Sequence, residues 1–132
     1  MNITADTNVL VRALTEDDPR HGKIAQQILG RADLVAVPTT TLCEFVWVLG
    51  QGYKLDTASI AGAVRGLIGS ANVALSRPAA EAGLALLDAG GDFADGVIAF
   101  EGAKLGGETF VSFDKKAVKL LDQRGHAARL LA

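Results

Sequence analysis

Short apolar runs alternate with longer stretches of helical periodicity along the whole 132-residue chain, and that alternation leaves few folds open. The runs are Asn2 to Ala5, Leu34 to Val37, Asn72 to Leu75, Thr109 to Val111 and Ala127 to Leu131. They are too brief for buried helices, and turn or charged residues bound them, as Asp33 and Pro38 bound the second. Between them, apolar residues recur every three or four positions. Val9, Leu10 and Ala13 define a first helix that stops before Asp18-Pro19; Ile24, Ile28 and Leu29 define a second from about His21, ended by Gly30. A triple threonine supplies an N-cap ahead of Leu42, Phe45, Val46 and Leu49, whose spacing marks one helical face, closed by Gly50 and Gly52. Ile60, Val64, Leu67 and Ile68 repeat the pattern behind Asp56-Thr57. Pro78 opens a helix ending at Gly90-Gly91, Asp92 opens another to about Leu105, and Val118 and Leu121 mark the last. Strands that take turns with helices run parallel and are joined by right-handed crossovers. The expected class is therefore α/β: a three-layer α/β/α sandwich with a short-stranded, mainly parallel central sheet.

No repeat, low-complexity tract or linker interrupts this order, so residues 1–132 read as a single domain. Hydrophobic residues make up 49% of the chain and aromatics only 5%, which gives a mainly aliphatic core. So few aromatics argue against the aromatic-studded surface of a domain that stacks single-stranded bases. The formal net charge of −2 adds that any contact with a polyanion must be local or mediated by bound cations. Cys43 is the only cysteine, which excludes an internal disulfide and suits a reducing compartment. The first residues do not read as a basic segment followed by a long apolar run. No stretch reaches the roughly 18 apolar residues of a membrane span either, so a cytoplasmic location with no membrane contact is expected.

Against this background the acidic residues stand out by position. In an open parallel sheet the strands deliver their C-terminal ends to one edge, where ligands bind. Asp6 follows the first strand and Asp114 the fourth; if those strands are neighbours, the two carboxylates face each other. Glu44 reads as lying in the first turn of the helix after the second strand, two positions from Leu42 and off its apolar stripe. Asp92 and Asp95 share one face of a helix start and reach the edge only if that start leans over it. Each residue also has a plain structural reading. Asp6 and Asp114 suit N-caps, and Thr41-Leu42-Cys43-Glu44 and Asp92 with Asp95 resemble capping boxes. The joint pattern asks for more. Two carboxylates about 4 Å apart repel by about 4 kcal/mol at an effective dielectric near 20, so several together need protons or a divalent cation. Oxygen-only donors, with no His or Cys at ligand spacing, favour Mg²⁺ or Mn²⁺ over zinc, and a cation so held suits phosphodiester hydrolysis.

The segments Ala5-Asp6-Thr7-Asn8, Glu44, Asp92-Phe93-Ala94-Asp95-Gly96-Val97-Ile98-Ala99 and Ser112-Phe113-Asp114-Lys115-Lys116 together resemble the PIN-domain ribonucleases, most closely the VapC-type toxins of VapBC toxin–antitoxin pairs. The resemblance spans nearly the whole chain in order and spacing. It implies that Asp6, Glu44, Asp95 and Asp114 are catalytic and hold Mg²⁺ or Mn²⁺, with Asp92, Thr7, Asn8 and Ser112 in support. It further implies RNA cleavage, a homodimer and a small VapB-like antitoxin whose tail blocks the site. Ser112 stands where threonine is usual, which keeps the hydroxyl. Gly96 stands where a better helix former is usual, a change of about 1 kcal/mol in a helix interior.

Arg12, Lys115 and Lys116 are candidate phosphate contacts, although a solvated helix face explains the lysines as well. His21 and His126 lie on distant elements and do not suggest an acid–base pair. Cys43 reads as a small buried residue, and Trp47 as core or interface. Two rivals use similar acids. A receiver-type phosphoacceptor module expects an acidic pair after the first strand. A haloacid-dehalogenase-like phosphatase expects two aspartates flanking one residue there. Asp6-Thr7-Asn8 offers one.

Overall fold

β1 (Asn2–Thr4), β2 (Leu34–Ala36) and β3 (Val73–Ala74) lie side by side in that order, all parallel. In this computed structural model, which describes residues 1–132, Asn2 faces Leu34 and Thr4 faces Ala36. The ladder runs on past the strand ends: the Ala5 amide donates to the Ala36 carbonyl at 2.9 Å, and Val37 to Ala74 at 2.9 Å. Parallel neighbours require crossovers. α1 (Thr7–Thr15) and α2 (Pro19–Arg31) supply the first; α3 (Thr39–Trp47), a π-helical turn at Val48–Gly52 and α4 (Thr57–Gly69) supply the second. α1 packs on both α2 and α3, and Leu10, Val35, Leu42, Phe45, Leu49 and Val64 are buried.

Two details depart from the sequence reading. α2 continues through Gly30, because that glycine lacks the positive φ that stops a helix. The Asn72 side chain closes the helix instead, donating to the carbonyls of Leu29 (2.8 Å) and Ala32 (3.1 Å). The N-cap of α3 is Pro38, with no side-chain cap, so the three threonines form its first turn. Glu44 therefore lies in the second turn, and the capping box expected at Thr41 to Glu44 does not form.

Packing divides the chain into two compact units, Met1–Arg77 and Pro78–Ala132. The second contains α5 (Arg77–Asp88), α6 (Phe93–Lys104), β4 (Phe110–Ser112), α7 (Lys115–Gln123) and β5 (Ala128–Leu130), its helix α5 starting at the boundary. β4 and β5 pair in parallel, Phe110 opposite Ala128 and Ser112 opposite Leu130, and α7 is the crossover that packs on both. Leu86, Ala99 and Leu121 form its buried core, with Phe110, Leu120 and Ala128 packed around them. Gly90 (φ 93°) and Gly106 (φ 101°) follow α5 and α6 in the left-handed conformation expected after a helix.

The α5–α6 contact is unusually close. A Cβ on Gly96 would lie 3.0 Å from the Gly83 Cα and would overlap the Ala82 carbonyl oxygen, while one on Gly83 would lie 2.6 Å from the Phe93 ring. The α/β class and parallel strands are those the periodicity requires. No helix is long and apolar enough to cross a membrane.

Candidate functional site

Asp6, Asp92, Asp95 and Asp114 stand at helix starts, and of these Asp6 and Asp114 closely follow the ends of β1 and β4. In the first unit β1 and β2 are parallel and in register, so α1 and α3 leave from the same edge. Asp6 is the N-cap of α1, its Oδ1 accepting the Thr7 amide at 2.8 Å. Thr7 is buried; Asn8 is exposed. Glu44, five residues into α3, sits about 8 Å along the axis from the helix start, at 1.5 Å per residue. Helical Cα–Cβ bonds tilt toward the helix N-terminus, which for α3 is the end at that edge. Glu44 is exposed and makes no hydrogen bond or ion pair.

In the second unit Asp95 lies within electrostatic reach of two further acids, Asp92 and Asp114. Asp92 is the N-cap of α6, its Oδ1 accepting the Ala94 amide at 2.8 Å. Asp114 is the N-cap of α7, its Oδ1 accepting from Lys116 (2.9 Å) and Ala117 (3.1 Å). The Ser112 hydroxyl accepts the Asp114 amide at 3.0 Å and fixes the turn. Asp95, in the first turn of α6, has no hydrogen bond and is partly buried. Its carboxyl is pushed above the ordinary aspartate range, first by burial and then by the like charges of Asp92 and Asp114. No Lys, Arg or His forms an ion pair with any of the three.

The caps answer the question of structural against chemical role. Asp6, Asp92 and Asp114 all cap, and all do so through Oδ1 alone, leaving Oδ2 without a hydrogen bond. Capping thus leaves one carboxylate oxygen of each residue available to a ligand. The donors fit a hard cation in kind, being carboxylate oxygens. Within neither unit, however, do three His, Cys, Asp or Glu side chains gather into a set that would hold an ion alone.

The remaining candidates divide. Lys115 and Lys116 are exposed in the first turn of α7. Arg12 is engaged, 3.4 Å from Asp17 and 4.0 Å from Asp18, which weakens its case as a phosphate contact. His21 pairs with Asp18 at 3.2 Å, and His126 contacts the Ala99 and Ala127 carbonyls, so both have local structural partners. Cys43 is only half-buried. Trp47 is 64% exposed and is not core. Phe113 is 75% exposed, and the sequence signal for it is its position between Ser112 and Asp114 and ahead of two lysines.

No curated protein matches the chain. The family model of the PIN domain matches residues 3–122, a stretch that takes in Asp6, Glu44, Asp92, Asp95 and Asp114. PIN domains are generally nucleases that use divalent metal ions, and neither the receiver nor the phosphatase reading gains support. The order of acids, the parallel strands and that nearly continuous match lead to one assignment: the chain belongs to the PIN domain family.

Proposed function

We propose that the protein is a Mg²⁺- or Mn²⁺-dependent endoribonuclease, the VapC-like toxin of a toxin–antitoxin pair. The observation that carries the nuclease reading is that Asp95 feels the charges of Asp92 and Asp114, three carboxylates with no basic partner, in a chain of this family. Asp6, Glu44, Asp95 and Asp114 hold the cation, with Asp92 as an auxiliary ligand or support. A divalent ion so held activates water and neutralises charge developing on the phosphodiester. The chain's own groups do the rest. The capping oxygens fix the carboxylates to helix starts, Ser112 sets the turn that presents Asp114, Thr7 and Asn8 supply nearby polar contacts, and Lys115 and Lys116 approach the phosphates. The partners in this reading are RNA, a second copy of the chain in a homodimer, and a VapB-like antitoxin.

Cleavage of a labelled RNA with Mg²⁺ or Mn²⁺ tests the proposal. Excess chelator should stop it, and Asp6→Asn, Glu44→Gln, Asp95→Asn and Asp114→Asn should each reduce it about a hundredfold or more, since a Lewis acid supplies several kcal/mol. Full activity in chelator would overturn the reading. The toxin assignment predicts growth arrest on expression, absent for Asp6→Asn and relieved by a small protein encoded next to the gene.

A further inference from the structure

Phe113 is the most exposed aromatic side chain of the protein, and the backbone around it is pinned. β4 ends at Ser112, whose hydroxyl holds the Asp114 amide at 3.0 Å, and Asp114 in turn holds the amides of Lys116 and Ala117. The phenyl ring is thus displayed on a short, hydrogen-bonded turn. Asp114, also exposed, comes next, followed by exposed Lys115 and Lys116, neither in an ion pair. They occupy the first turn of α7, where the helix dipole favours anions and works against cations. Local stability therefore explains neither the open ring nor the placement of the two charges.

A ligand that satisfies both presents a flat apolar face next to closely spaced negative charge. An unpaired nucleic-acid strand does so, whereas a duplex keeps its base faces stacked inside. We propose that Phe113 is a base-stacking residue for single-stranded RNA, with Lys115 and Lys116 on the flanking phosphates. This rests on the ribonuclease reading. A base seated on Phe113 lies one residue from Asp114, so the stack also sets which phosphodiester meets the acids.

The test measures binding without cleavage. In excess chelator, a fluorescently labelled unstructured RNA decamer and the same strand annealed to its complement are titrated with the full-length protein. Wild type should prefer the unpaired strand. Phe113→Ala should weaken that binding roughly 5- to 160-fold, the range for loss of one stacked base, and leave duplex binding unchanged; Phe113→Tyr should restore it. Leu105→Ala, at a side chain 89% exposed on another segment, is the control and should have no effect. Unchanged affinity in Phe113→Ala, equal loss on duplex, or equal loss in Leu105→Ala would overturn the assignment. So would a Phe113→Ala protein that keeps its RNA affinity but no longer self-associates in sedimentation, since the ring then belongs to a protein interface. A wild-type protein that prefers unpaired RNA through Phe113 yet never cuts it with Mg²⁺ would sink the nuclease reading alone.

Discussion

An ionised carboxylate is stable where water, a hydrogen bond or a positive charge can answer it, and Asp95 has only part of its hydration and neither of the other two. Burial and the charges of Asp92 and Asp114 hold its folded-state pKa above that of an ordinary aspartate, so the native state binds more protons than the unfolded chain between those two pH values. The sign follows by linkage: stability falls as pH rises through that window, and the cost remains at neutral pH. Asp95→Asn should therefore melt at a higher temperature than wild type at pH 7 in chelator, by a margin that closes as pH falls through that window to about 4. The same substitution should abolish most of the cleavage. A variant no more stable than wild type at neutral pH would mean that Asp95 is already satisfied. Asp114 separates two roles in a different way. Asparagine caps a helix as well as aspartate does, so Asp114→Asn should lose activity with little loss of stability. Asp114→Ala should lose activity and about 1 kcal/mol besides, read as a shift of the urea midpoint at constant m-value.

At the level of elements, the start of α6 is held by glycine. An alanine at position 96 would normally help a helix by about 1 kcal/mol. Here its Cβ would meet backbone of α5 at Ala82 and Gly83, which has no flexible end to swing away. Overpacking of that kind costs about 1–3 kcal/mol, so Gly96→Ala should lower the melting temperature by several degrees and, by displacing Asp95, reduce cleavage as well. What periodicity could and could not reveal follows the same line. The helices and strands were legible because each turns one apolar face inward, and Asp6, Asp92 and Asp114 were legible as helix-start acids. The continuation of α2 past Gly30 was not, because its closure depends on Asn72, far away in sequence. Nor was the second-turn position of Glu44, since a proline can hold an N-cap position without offering a side-chain bond. Gly96 looked like a weakness in α6 until its neighbour on α5 was known. The low aromatic content limited how many stacking surfaces exist, and it was silent on where they sit. Phe113 owes its exposure to a two-residue turn that no composition reports.

For the molecule as a whole, the charge balance sets how RNA can be held. Thirteen Lys and Arg against fifteen Asp and Glu leave a net −2, so most of the surface repels a polyanion. Binding then depends on a few phosphate contacts and on cations at the acids. Mg²⁺ at a hundred times its dissociation constant should stabilise the fold by about 2.7 kcal/mol, seen as a rise in melting temperature that Asp95→Asn removes. Contacts made by lysine are counted differently. Neutralising Z phosphates of a single strand gives a slope of log affinity against log salt near −0.7Z, so Lys115 and Lys116 together predict about −1.4 in monovalent salt without Mg²⁺. Replacing either lysine with alanine should make the slope shallower by about 0.7, whereas Phe113→Ala should lower affinity at every salt concentration and leave the slope unchanged, because stacking releases no counterions. A wild-type slope near −4 would require about six phosphate contacts and would place the RNA on a much broader basic surface than these two lysines provide.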